Sequence, residues 1–146
     1  MFILKYPLKV VLIDDDPDML DLMEFYAKRN ADLEVYKFTS PLAALEYMTK
    51  EEVQIAIVDI NMQEMFGDEV LRRINKLGQG TEVIIVTASD NLMNFTACYR
   101  LRASGFIFKP FTQELFMKTI HNSHTNIKNW NNVFRAMMKR KHKNTA

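Results

Sequence analysis

A single cysteine, Cys98, stands in the whole sequence. It has no partner for an internal disulfide, which excludes a disulfide-stapled scaffold and fits a reducing cytoplasm. Nothing beside it in sequence resembles an activating partner for a catalytic thiol. Long apolar runs are also missing: none approaches the roughly 20 residues of a membrane span. The opening "MFILKYPLKV" is apolar but short, without a basic lead or a small-residue cleavage site, and is expected to be a strand approach rather than a signal peptide. Acid is absent beyond Glu114. Residues 1–120 hold 13 basic against 18 acidic side chains, a net of −5, whereas residues 121–146 hold six Lys and Arg and no acid. An acidic body with a basic tail is therefore the first organisational feature.

What is present fits one globular domain. The 146 residues are 48% hydrophobic and 25% charged, enough to bury a real core. Short apolar runs alternate with amphipathic stretches. "KVVLID" (9–14), "LEVYKF" (33–38), "IAIVD" (55–59), "EVIIVT" (82–87) and "GFIF" (105–108) are expected as strands. Between them, helical spacing runs over 17–30. Ser40 and Pro41 open a helix reaching about Lys50. "DEVLRRINKL" is closed by "GQG", a further helix spans about 90–102, and Thr112 caps a last one. The fold class is therefore α/β: (βα)5, a doubly wound five-stranded parallel sheet covered on both faces, with a C-terminal helical extension. Ten methionines are expected as core filler.

In such a sheet ligands bind outside the carboxyl ends of the strands. Asp14 and Asp15 end the first strand, Asp59 the third and Thr87 the fourth, and Lys109 follows the fifth. The stretch "VVLIDDDPDM" sets like charges side by side, a cost that a hard divalent cation with oxygen ligands relieves. A carboxylate can also attack a phosphoryl group, with metal, ammonium and hydroxyl neutralising its oxygens. Asp16 and Asp18 are expected simply to favour the start of the following helix. His121 and His124, three apart on a helix, have the spacing of a metal pair but no further ligand nearby.

The motifs "VLIDDDP", "IVDINMQEMFGDEV", "VIIVTAS" and "GFIFKPF", in this order, resemble the receiver domain of response regulators in two-component signalling, here over residues 8–124. That resemblance implies the flavodoxin-like arrangement of chemotaxis-regulator-like receivers. It makes Asp59 the phosphoacceptor and gives Mg2+ the ligands Asp14, Asp15, Asp59 and the backbone carbonyl of Asn61. It has Thr87 and Lys109 contact the phosphoryl oxygens, and Thr87 and Phe106 act as the switch. It implies a cis Lys109–Pro110 bond, a histidine kinase or histidine phosphotransfer protein as donor, a downstream protein partner, and a cytoplasmic location. The chain departs from the pattern at Gln63, where proline is frequent, and at Phe106, where tyrosine is. A Mg2+-dependent phosphohydrolase with an aspartate nucleophile is the enzymatic alternative; it needs an acid two residues after the nucleophile, which is Asn61 after Asp59 but Asp16 after Asp14. An inactive receiver used as a dimerisation module is the third reading.

Residues 1–125 are expected to form the receiver and 126–146 a basic amphipathic extension. Ile127, Trp130, Phe134 and Met137 fall at 3–4–3 spacing, one apolar stripe on a helix. It could join two copies of the chain or fold back on its own domain. The asparagines at 126, 129, 131 and 132 weaken intrinsic helicity, so packing has to support the helix. "KRKHK" (139–143) is expected to be a solvated end; neither nucleic acid nor membrane is expected as a partner.

Overall fold

The computed structural model describes residues 3–145. Met1, Phe2 and Ala146, the outer ends of the expected strand approach and extension, lie outside the described residues. In chain order the elements are β1 (Leu8–Ile13), α1 (Pro17–Ala27), β2 (Leu33–Phe38), α2 (Pro41–Lys50), β3 (Ile55–Val58), α3 (Gly67–Lys76), β4 (Glu82–Thr87), α4 (Leu92–Arg100), β5 (Gly105–Phe108) and α5 (Gln113–Thr145). The strands form one sheet in the order β2-β1-β3-β4-β5, every pairing parallel.

Because successive side chains of a strand point to opposite faces, each apolar run feeds two cores. Val11, Ile13, Ala56, Val58 and Ile85 pack with Ala44 and Met48 of α2, Leu71 and Ile74 of α3, and Cys98 of α4. Val10, Leu12, Ile57, Ile84 and Ile107 pack with Leu20 and Met23 of α1 and Phe116 and Ile120 of α5. Burial on both faces is why the strands read as unbroken apolar runs.

The helix starts follow local chemistry. Asp16 caps α1 by accepting the Asp18 N–H at 3.0 Å, with Pro17 in the first turn. Ser40 caps α2 through the Ala43 N–H. The Thr112 hydroxyl accepts the Leu115 N–H at 3.1 Å where α5 begins. The Lys109–Pro110 bond is cis, as is Tyr6–Pro7.

α5 runs as one helix of 33 residues, straight through the four asparagines. Tertiary contacts support it there. The Asn131 side-chain Oδ1 accepts the Leu4 N–H at 2.8 Å, the Asn126 side-chain amide donates to Glu82, and the Tyr6 hydroxyl and His124 Nε2 share a 2.8 Å hydrogen bond. These contacts correct the expected association stripe. Ile127 is half-buried against the core of its own domain, and Phe134 is half-buried as well, whereas Trp130 and Met137 are exposed together with Val133. A helix period of 3.6 residues places 127, 131 and 134 on the inward side, so the stripe cannot face a partner as a unit. Among the described residues no helix is long and apolar enough to cross a membrane.

Candidate functional site

β1 and β3 are adjacent in the sheet, with Ile13 level with Val58. The residues that follow, Asp14 and Asp59, therefore emerge side by side at the carboxyl edge. One carboxylate oxygen from each of Asp14, Asp15 and Asp59 lies within 4.8 Å of the others. Asp14 and Asp59 are buried, while Asp15 is open to solvent.

Lys109, delivered by β5 from the far side, closes the group. Its ammonium donates to Asp14 Oδ2 at 2.7 Å and stands 3.6 Å from Asp59 Oδ2. The other Asp14 oxygen accepts the Asp16 N–H at 2.9 Å. Burial pushes the Asp59 carboxyl above its ordinary range; Lys109 opposes this, Asp14 adds to it, the Asn61 N–H opposes it, and Asp15 adds a little. Burial thus disfavours the charged form of the carboxylate that follows β3, and the ammonium beside it offsets part of that cost. Three oxygens from hard carboxylates at one solvent-open corner match the donor chemistry that Mg2+ prefers.

Thr87 ends β4 and is fully buried; its Oγ1 accepts the Ser89 N–H at 3.0 Å, and its carbonyl accepts the Lys109 N–H at 2.8 Å. That second bond ties the strand carrying Lys109 to Thr87. Asn61 lies beside Asp59, its N–H directed at the carboxylate. The Gln63 N–H reaches Asp15 Oδ2 at 3.4 Å, a contact that proline could not make. Phe106 is half-buried on β5 with its ring 5.3 Å from both Phe95 and Phe108, edge to face. Asp16, the acid the hydrolase alternative would call on, is exposed and caps α1 through Oδ1. His121 and His124 gather no third ligand among the described residues; His124 is buried against Tyr6.

One residue of this site carries no chemistry of its own. The Gly67 N–H donates to the Ile60 carbonyl at 2.9 Å, and a Cβ on it would stand 2.5 Å from the Asp59 carbonyl oxygen and 2.7 Å from the Ile60 Cα. Only glycine lets α3 start against the backbone of the acid-bearing turn. The chain has four glycines, and one of them falls eight residues after Asp59, the only sequence signal this packing leaves.

The family described as response regulator receiver domain matches residues 10–121. The chain is 32% identical over 117 residues to the transcriptional regulatory protein FlgR of Helicobacter pylori, covering 80% of this chain and 29% of that protein. It is 35% identical over 101 residues to the heme response regulator HssR of Staphylococcus saprophyticus, covering 69% and 44%. The chain thus spans under half the length of these curated relatives. A CheY-like response regulator receiver domain protein from Methanospirillum hungatei superposes with a TM-score of 0.80 at 24% identity, over 84% of this chain and 97% of that one, and so shares its fold. With fold, rim and family match in agreement, the chain belongs to the response regulator receiver domain family, the phosphoacceptor modules of two-component signalling.

Proposed function

We propose that Asp59 accepts a phosphoryl group from a histidine kinase or a histidine phosphotransfer protein, and that the phosphorylated chain presents a changed surface to a downstream protein. The observation that carries this reading is the meeting of Asp14, Asp15 and Asp59 with Lys109 at one sheet edge. An Asp59 carboxylate oxygen forms the new O–P bond as the P–N bond to the donor histidine breaks, and the bonding pair leaves with the imidazole. Asp14, Asp15, Asp59 and the Asn61 backbone carbonyl would hold Mg2+. Bound there, the cation would offset the repulsion of the acids and of the phosphoryl oxygens.

Lys109 and the Thr87 hydroxyl are the groups that contact the transferred phosphoryl. Lys109 leaves Asp14 for the larger charge, and Thr87 turns its hydroxyl proton towards a phosphoryl oxygen. Phe106, caught between Phe95 and Phe108, repacks as Thr87 moves. Residues 1–125 carry this function and 126–146 form a basic amphipathic extension. The chain works in the cytoplasm and catalyses only its own phosphorylation and dephosphorylation, because Asn61, two residues after Asp59, offers no general acid.

Incubation with acetyl phosphate and Mg2+ should add about 80 Da to the intact mass, one phosphoryl group. Asp59→Asn should add none, and neither form should turn over a generic phosphate ester. An Asp59→Asn chain labelled like the wild type overturns the assignment, and ester turnover would favour the hydrolase.

A further inference from the structure

The outer face of α5 changes character along its length. Residues 126, 130, 133, 137 and 141 recur at intervals of three and four and share one side of the helix. Nearest the body, the Asn126 amide donates to the Glu82 carboxylate, which also accepts the Ser104 hydroxyl. Next come Trp130, 69% exposed, and the exposed Val133 and Met137. Beyond them stand the exposed Arg140 and Lys141. The face thus runs from an anion through an apolar middle to cations, while Ile127 and Asn131, on the adjoining flank turned towards the body, hold the helix to its own domain.

A surface graded in this way is complementary to itself when turned end for end. We propose that it binds a second copy of the chain, the two α5 helices crossing antiparallel about a two-fold axis beside Val133. Trp130 then meets the partner subunit's Met137 and Met137 the partner subunit's Trp130, a thioether against an aromatic ring. Lys141 comes level with Asn126 and so approaches the partner's Glu82. A parallel pair fails on the same face. It would stack Trp130 on its own copy and set Arg140 and Lys141 beside theirs, a cluster of like charge with no acid near it. Anionic lipid or nucleic acid would attract the extension, but would also have to tolerate residues 1–120 with their net of −5. The copy of the chain supplies the matching acid itself.

The contact is small. The 18 residues after Ile127 reach about 27 Å at about 1.5 Å per residue, so each copy buries less than the roughly 800 Å² per partner of a standard interface. Arg102 lines the recess that holds Glu82 and offsets part of its charge, which leaves the apolar middle as the main source of affinity. The dimer should therefore have a dissociation constant of about 10 µM. It does not rest on phosphorylation: Asp59→Asn should dimerise like the wild type.

Sedimentation of the full chain between about 1 and 100 µM should show a reversible monomer–dimer equilibrium. Trp130→Glu and Met137→Glu should each weaken it at least about tenfold; both positions are exposed, so the fold should survive either change. Direction is read by cross-linking. Chains carrying Trp130→Cys or Met137→Cys should form a mixed disulfide when oxidised together and little disulfide alone, the native Cys98 being buried. A chain that stays monomeric at about 100 µM overturns the proposal. So does Trp130→Cys cross-linking mainly to itself, which marks a parallel pair, or a monomer that binds anionic vesicles through the same residues.

Discussion

Asp14 has both carboxylate oxygens engaged inside the protein, one with the Asp16 N–H and one with Lys109 at 2.7 Å, whereas Asp59 has the Asn61 N–H and a more distant Lys109 at 3.6 Å. One ammonium thus serves two buried acids. Lys109→Met should lower stability by about 3 kcal/mol, the usual cost of stranding a buried charge, and Mg2+ should restore much of the loss. Urea unfolding with and without the cation checks this; an unchanged midpoint in the metal-free variant contradicts it. His124 gives the opposite kind of site. Burial pushes its ionisation below the ordinary histidine range, Lys128 and His121 reinforce this, and Asp32 opposes it. The unfolded chain then takes the proton first, so the contribution of His124 is complete above about pH 6.5 and is lost as pH falls below it. Asp59, whose carboxyl is raised, works the other way and gains stability as pH falls. Subtracting the stability curve of His124→Gln from that of the wild type isolates the histidine: the difference should shrink from pH 7 towards pH 5, and parallel curves would show that His124 has no part in it.

At the scale of elements, the turn from β3 to α3 depends on a close approach. In Gly67→Ala the new methyl group meets the Asp59 carbonyl and the Ile60 Cα, both backbone, so something must move. A loss of about 2–4 kcal/mol is expected, with slower phosphorylation because the turn carrying Asp59 shifts. Thermal unfolding and the rate of labelling by acetyl phosphate measure the two, and a wild-type melting temperature would show that the turn yields freely. This turn also marks the limit of what could be read from residues alone. Strands buried on both faces leave apolar runs, and the acids that end them, Asp14 and Asp59, stand out at once. Ser40, Thr112 and Asp16 announce helix starts because capping is local. Gly67 does not announce its role, which lies in contact with the backbone of Asp59 and Ile60. Nor does the stripe on α5 reveal that Ile127 turns inward: Leu4, which holds Asn131, is separated from it by 127 positions. Periodicity fixes which residues share a face, but only the docked N-terminal segment decides which face is left free.

Across the whole molecule, charge is unevenly distributed. The body is acidic and concentrates three carboxylates at one sheet edge, and the extension is basic. A cation that binds only the folded form adds about 2.7 kcal/mol at a hundred times its dissociation constant, so saturating Mg2+ should raise the melting temperature by roughly 5–10 °C. Asp15→Ala should lose most of that rise; a wild-type melting temperature indifferent to Mg2+ would contradict the metal site. The central claim is that the group emerging from β3 is the one that becomes phosphorylated, and it can be read covalently. Borohydride reduces an acyl phosphate to an alcohol, which converts a phosphorylated aspartate into homoserine. After labelling with acetyl phosphate and Mg2+, reduction and peptide mapping should find homoserine at position 59 and aspartate at 14 and 15. Homoserine at 14 or 15, with aspartate retained at 59, would contradict the account.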